Sequence, residues 1–182
     1  MPSNGQSHHA AMASVFQFPL VVVDFEATAL TLESYPIEVG VARAVNSADP
    51  VSSWSALIVP DPTWNVSAQW DPDAERVHGI SRWELRSGTS ARDVMTALNA
   101  WAGDVDIVWC DGGRYDASWL RTLAEAACVE PNFALGDLSA VLAANYNRCD
   151  SYLEFISRSA APHRAGPDAE RICRALMLLA PG

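Results

Sequence analysis

VVVDFEATAL, residues 21–30, begins as a run of β-branched apolar residues and then sets Asp24 and Glu26 two positions apart. The run Phe18–Phe25 is short and apolar, the pattern of a central strand buried on both faces. On a strand, side chains at i and i+2 share a face, so Asp24 and Glu26 project together while Phe25 packs on the other side. Two carboxylates this close repel, and where water is scarce one of them must protonate. A divalent cation removes that conflict and holds both ionised. Taken alone, an Asp-x-Glu at a strand end is most often two solvated residues, so a functional reading needs support from the rest of the chain.

Working outward, Ile37–Val45 and Val51–Val59 read as two further strands. Asn46-Ser47-Ala48-Asp49-Pro50 between them has turn chemistry, which makes them antiparallel neighbours. Pro60 to Asp73 reads as irregular, with three prolines and two tryptophans. Ser90 opens a helix with Asp93 as its capping-box partner, and Val94, Leu98 and Trp101 form its apolar face. Val105–Cys110 is a buried strand, Asp116–Cys128 a helix, Phe133–Leu135 a short strand, and Leu138–Asn147 and Ser151–Ser159 are helical. The last helix starts at Pro167, a residue suited to a first helical position, and runs through Ile172, Leu176 and Leu179. Three adjacent strands followed by alternating helices and strands predict an α/β fold. A ribonuclease-H-like layout, a mixed sheet of three antiparallel strands then parallel ones flanked by helices, fits this order, and periodicity alone leaves other α/β sheets open.

The chain has 182 residues, 49% apolar and 19% charged, enough for one domain with a sizeable core. That domain is expected over residues 17–182, after a disordered segment 1–16 in which His8 and His9 read as leader rather than metal ligands. The start lacks the basic and long apolar stretches of a signal peptide, and no run is long enough to span a membrane. Cys110, Cys128, Cys149 and Cys173 are far apart, with no CxxC pair; this argues against a zinc site and for reduced thiols in the cytoplasm. The net charge is −10, with a pI of about 4.6. Such a body repels a polyanion, so long electrostatic tracking along duplex DNA is not expected.

Two more segments carry candidate acids and bases. In CDGGRYDASWL, residues 110–120, a buried strand ends in a glycine turn and Asp116 stands at the start of a helix. A carboxylate there also suits helix capping and the helix dipole. In PHRAGPDAERICRAL, residues 162–176, His163 and Asp168 flank the entry to the last helix. Each is weak alone. Together with Asp24 and Glu26 they form an ordered set: Asp-x-Glu ending the first strand, Asp opening a middle helix, and His-x4-Asp opening the last.

This set resembles the DEDDh family of 3′→5′ exonucleases, which includes the proofreading subunit of bacterial replicative polymerase, ribonuclease T and oligoribonuclease. DFEAT matches the family's first motif, YDASWL its second and HRAGPDA its third. YPIEVGVA (Glu38, Gly40) and DPDAERVHGI (His78-Gly79-Ile80) match two weaker elements. The resemblance covers roughly residues 18–180. It departs in the second motif, where Gly112 occupies a position usually held by Asn and Asp111 lies one residue upstream.

The resemblance implies phosphodiester hydrolysis at 3′ ends with two magnesium ions, manganese being able to substitute. Paired ions about 3.5–4 Å apart serve such chemistry, and magnesium favours carboxylates, waters and phosphate oxygens. It implies that Asp24 bridges both ions, that Glu26 and Asp168 complete the shell of the first ion, and that Asp116 holds the second ion through water. His163 is implied as general base, a task suited to a group that changes charge near neutral pH. His78, with Asp73 beside it, is implied in binding the terminal nucleotide. Glu38 reads as a structural hydrogen-bonding residue, Asp137 as a helix cap, and none of the seven tryptophans is placed in the site. Expected partners are single-stranded 3′ ends of DNA or RNA and a second copy of the chain, with no membrane. Two alternatives stand beside this: an inactive end-binding or partner module on the same fold, and a two-carboxylate phosphatase. The intact set speaks against the first, and the second leaves Asp116, His163 and Asp168 unexplained.

Overall fold

A computed structural model describes residues 18–180; the segment 1–16, expected to be disordered, lies outside them. The strands are β1 (Leu20–Ala27), β2 (Pro36–Ala44), β3 (Ser52–Leu57), β4 (Ile107–Cys110) and β5 (Ala134–Asp137), in the sheet order β3-β2-β1-β4-β5. β1 pairs antiparallel with β2, and β2 with β3. β4 runs parallel to both β1 and β5. This is the mixed sheet the strand order predicts. The helices are α1 (Pro72–His78), α2 (Ala91–Ala102), α3 (Arg114–Ala127), α4 (Leu138–Ala144), α5 (Cys149–Arg158) and α6 (Ala165–Met177). No helix among the described residues is long and apolar enough to cross a membrane.

The alternation along β1 sorts its side chains between two cores. Val21, Val23, Phe25 and Ala27 pack with Val94, Met95 and Leu98 of α2 and Leu120 and Leu123 of α3. Leu20 and Val22 pack on the opposite face with Leu138 of α4, Tyr152 of α5, and Ile172 and Leu176 of α6. Val21, Val22 and Val23 are each at most 1% exposed, and full burial of such a side chain contributes roughly 1.5–3 kcal/mol. The same alternation puts Asp24 and Glu26 on the α6 face, at the carboxyl end of the strand.

Helix boundaries depart from the sequence pattern where local polar chemistry decides them. The segment read as irregular up to Asp73 gives way to α1 at Pro72. Asp71 caps it by accepting the Asp73 N–H at 2.8 Å, and Pro72 sits where no N–H is needed. α3 begins two residues before Asp116, so that carboxylate lies inside the first turn. α6 begins at Ala165 rather than Pro167 and stops at Met177; Leu179 still packs in the core beyond its end. At α2 the expected cap is present: Ser90 Oγ accepts the Asp93 N–H at 3.2 Å and donates to the Asp93 carboxylate at 2.7 Å.

Candidate active site

α6 is seated against β2 by a glycine and a glutamate. A Cβ on Gly40 would fall 2.1 Å from the Ala165 backbone, so only glycine permits this approach. Glu38, 3% exposed, accepts the Ala165 N–H at 2.9 Å and both Nε and Nη2 of Arg164, at 3.0 and 2.6 Å. Its predicted structural role is what the geometry displays. Asp168 then reaches back to accept the Arg164 N–H at 3.0 Å. The result is that one carboxylate oxygen from each of Asp24, Glu26 and Asp168 lies within 4.8 Å of the others.

The second motif is built by a different close approach. The Gly112 N–H donates to Asp116 Oδ2 at 2.9 Å, and a Cβ on Gly112 would meet that carboxylate at 2.6 Å. Asp116 is 1% exposed. Asp24, Glu26, Asp116, Asp168, His163, His78 and Asp73 all line one cleft of about 510 Å³, so the structure gathers every predicted site residue in one place. His163 is exposed at its rim with φ of 52°, a left-handed conformation uncommon outside glycine. Asp73 is also exposed and pairs with Arg76.

Burial and mutual repulsion govern the charges. Asp24 is held well above the ordinary carboxylate range, first by burial and then by Asp111, Asp116, Glu26 and Asp168. Burial, then Asp168 and Glu38, push Glu26 up to about 8 against the opposing Arg164. Burial pushes Asp116 up to about 7, with the Gly112 N–H working in the other direction. A cluster of hard oxygen donors that resists ionisation on its own fits a divalent metal ion. His78 is 5% exposed, and burial lowers its pKa. Its Nδ1 accepts the Ile80 N–H at 2.9 Å, which places the proton of the neutral ring on Nε2. That Nε2 has no partner among the described residues.

No family model and no curated protein matches this chain. Solved structures do. A 3′-exonuclease solved for 3′-end-specific recognition of a histone mRNA stem-loop superposes with a TM-score of 0.67 at 11% identity, covering 87% of this chain and 79% of that one. A full-length 3′-exonuclease gives 0.66 at 12% identity, with the same coverage. The fold is that of a 3′-exonuclease.

Within this exonuclease fold, two features of the cleft escape the sequence pattern. Asp111 lines it as a further acid, itself raised by burial. The signal is in the register: β1 and β4 run parallel with Val22 opposite Trp109, so two residues on, Asp24 and Asp111 leave neighbouring carboxyl ends together. Tyr115 and Trp119, stacked with centroids 5.9 Å apart, also line the cleft. One of the seven tryptophans, none of which the sequence pattern places in the site, therefore contributes to the cleft wall. Trp119 remains a core residue, its Nε1 donating to Ser34 Oγ at 2.8 Å. Asp137 caps α4, as its position predicts, by accepting the Ser139 N–H at 2.7 Å.

Proposed function

We propose that this protein is a metal-dependent 3′→5′ exonuclease that removes nucleotides from single-stranded 3′ ends of DNA or RNA. The observation that carries the reading is the convergence of Asp24, Glu26 and Asp168 oxygens within 4.8 Å, with Asp116 and His163 in the same cleft. Asp24, Glu26 and Asp168 would hold one magnesium or manganese ion, and Asp116, in the same cleft, would help to hold a second. Bound there, the ions supply charge stabilisation for the phosphoryl oxygens and the leaving 3′ oxygen.

The chain's own residues do the rest. His163 accepts the proton of the water whose oxygen bonds to the terminal phosphorus as the bond from that phosphorus to the 3′ oxygen breaks, and the 3′ oxygen takes a proton from solvent to become the hydroxyl of the shortened strand. The exposed place of His163 at the rim leaves it free to meet that water and to return the proton to solvent. His78 offers its Nε2–H to an oxygen of the terminal nucleotide as a neutral donor, and Asp73 accepts from the 3′ hydroxyl. Glu38 and Gly40 act through Arg164 and Ala165, fixing where α6 presents Asp168. We place this work in the cytoplasm, in keeping with the free state of Cys110, Cys128, Cys149 and Cys173.

Incubating a 5′-labelled single strand with the protein and magnesium tests the proposal. A ladder shortening from the 3′ end is expected. Release of label as a mononucleotide from the first time points, with no ladder before it, would instead mean attack from the 5′ end.

A further inference from the structure

Every basic residue in this chain is an arginine, twelve in all, against a net charge of −10. Most of them pair with carboxylates or donate to backbone carbonyls. Two that do neither among the described residues lie together in the segment after α1, and each is laid over a tryptophan. The Arg86 guanidinium sits 3.9 Å from the Trp83 ring centroid, and that of Arg82 sits 4.8 Å from Trp70. Trp83 is 72% exposed, an unusual position for the largest apolar side chain in a monomer. The 3₁₀ turn Glu84–Ser87 carries Arg86, and the buried Leu85 anchors that turn.

Through Arg82, which lies over the buried Trp70, the patch is linked to the cleft wall. Trp70 meets His78 edge-on, with ring centroids 6.2 Å apart, and His78 lines the cleft. Resting on the exonuclease reading, we infer that Trp83 and Arg86, with Arg82 beside them, form a platform for the body of the single strand whose 3′ end enters the cleft. The chemistry is a base stacked on an exposed indole with guanidinium groups facing the flanking phosphates. The charge argument selects the occupant. Among the described residues Arg82 and Arg86 have no carboxylate partner, on a chain of net charge −10, and the indole suits any base. The platform therefore grips strands without reading their sequence.

Binding to the full chain carrying Asp24→Asn, with manganese held constant, tests this by fluorescence anisotropy with a labelled dinucleotide and a labelled decanucleotide. Adding Trp83→Ala should weaken decanucleotide binding about tenfold, from the usual contribution of one stacked base, and should flatten the dependence of affinity on length. Trp83→Phe should restore part of the loss. Arg86→Ala should reduce the salt slope for the decanucleotide by about 0.7. Circular dichroism matching the parent establishes that these surface variants fold. Equal decanucleotide affinity in the parent and Trp83→Ala overturns the platform. So does sedimentation showing a dimer that Trp83→Ala dissolves, which would make the patch a contact between copies. Failure of the exonuclease reading shows separately, as a decanucleotide that the wild-type protein leaves at full length; the binding comparison decides the platform in either case.

Discussion

Gly40 of β2 and Ala165 of α6 approach so closely that a methyl group on Gly40 would stand 2.1 Å from the Ala165 carbonyl. This contact sets the height at which α6 crosses the sheet, and with it the distance between Asp168 and the carboxylates of β1. Gly40→Ala must push the helix away or bend the strand. The expected cost is about 2 kcal/mol or more of stability, together with weaker manganese binding. Urea denaturation and calorimetric titration check the two effects.

Glu38 serves the same joint by hydrogen bonding. Glu38→Ala strands the buried Ala165 N–H and frees Arg164, and an orphaned buried donor costs roughly 1–3 kcal/mol. Glu38→Gln keeps an acceptor for the amide and should lose less. A ranking of wild type above Gln above Ala in denaturation midpoint is the expected result; equal midpoints for the two variants would contradict it.

The acid cluster predicts an inverted dependence of stability on pH. Glu26 at about 8 and Asp116 at about 7 both lie above the ordinary carboxylate value of about 4. Between those values the folded chain holds more protons than the unfolded one, so metal-free stability falls as pH rises through that window. Thermal melts of metal-free protein should show Tm decreasing from about pH 5 to about pH 8. Magnesium or manganese should raise Tm more at the upper end, where the carboxylates are free to bind it.

His163 acts on water rather than on the metal in this account. His163→Ala should slow hydrolysis by about 10²–10⁴-fold, the usual range for losing a general base, while manganese affinity stays within about twofold. Calorimetry separates the two roles, since a large loss of metal affinity would recast His163 as a ligand.

What the sequence made legible follows from periodicity. The alternation in residues 20–27 assigns each side chain to a face, so Asp24 and Glu26 emerge as neighbours on one side and Phe25 on the other. Asp168 is harder to place, because its meeting with Glu26 depends on Gly40 letting α6 settle against β2. Asp111 is illegible without the parallel register of β1 and β4, a long-range relationship that local pattern does not carry. α1 is short and follows an irregular run containing Pro60 and Pro62; only the pairing of Asp71 as cap with Pro72 as first residue signals it. Trp83 looks like core material by composition, and its exposure follows from Leu85 taking the buried position in the same turn.

The central claim is that Asp24 anchors the chemistry of the cleft. The most direct measurement compares wild-type and Asp24→Asn protein on a 5′-labelled single-stranded oligonucleotide in magnesium, with folding confirmed by thermal melts. The account predicts a 3′-shortening ladder for the wild type, and a rate at least tenfold lower in the variant, equivalent to about 1.4 kcal/mol of transition-state stabilisation or more. A wild-type protein that leaves the oligonucleotide intact, or a variant that keeps more than about a tenth of the rate, would contradict it.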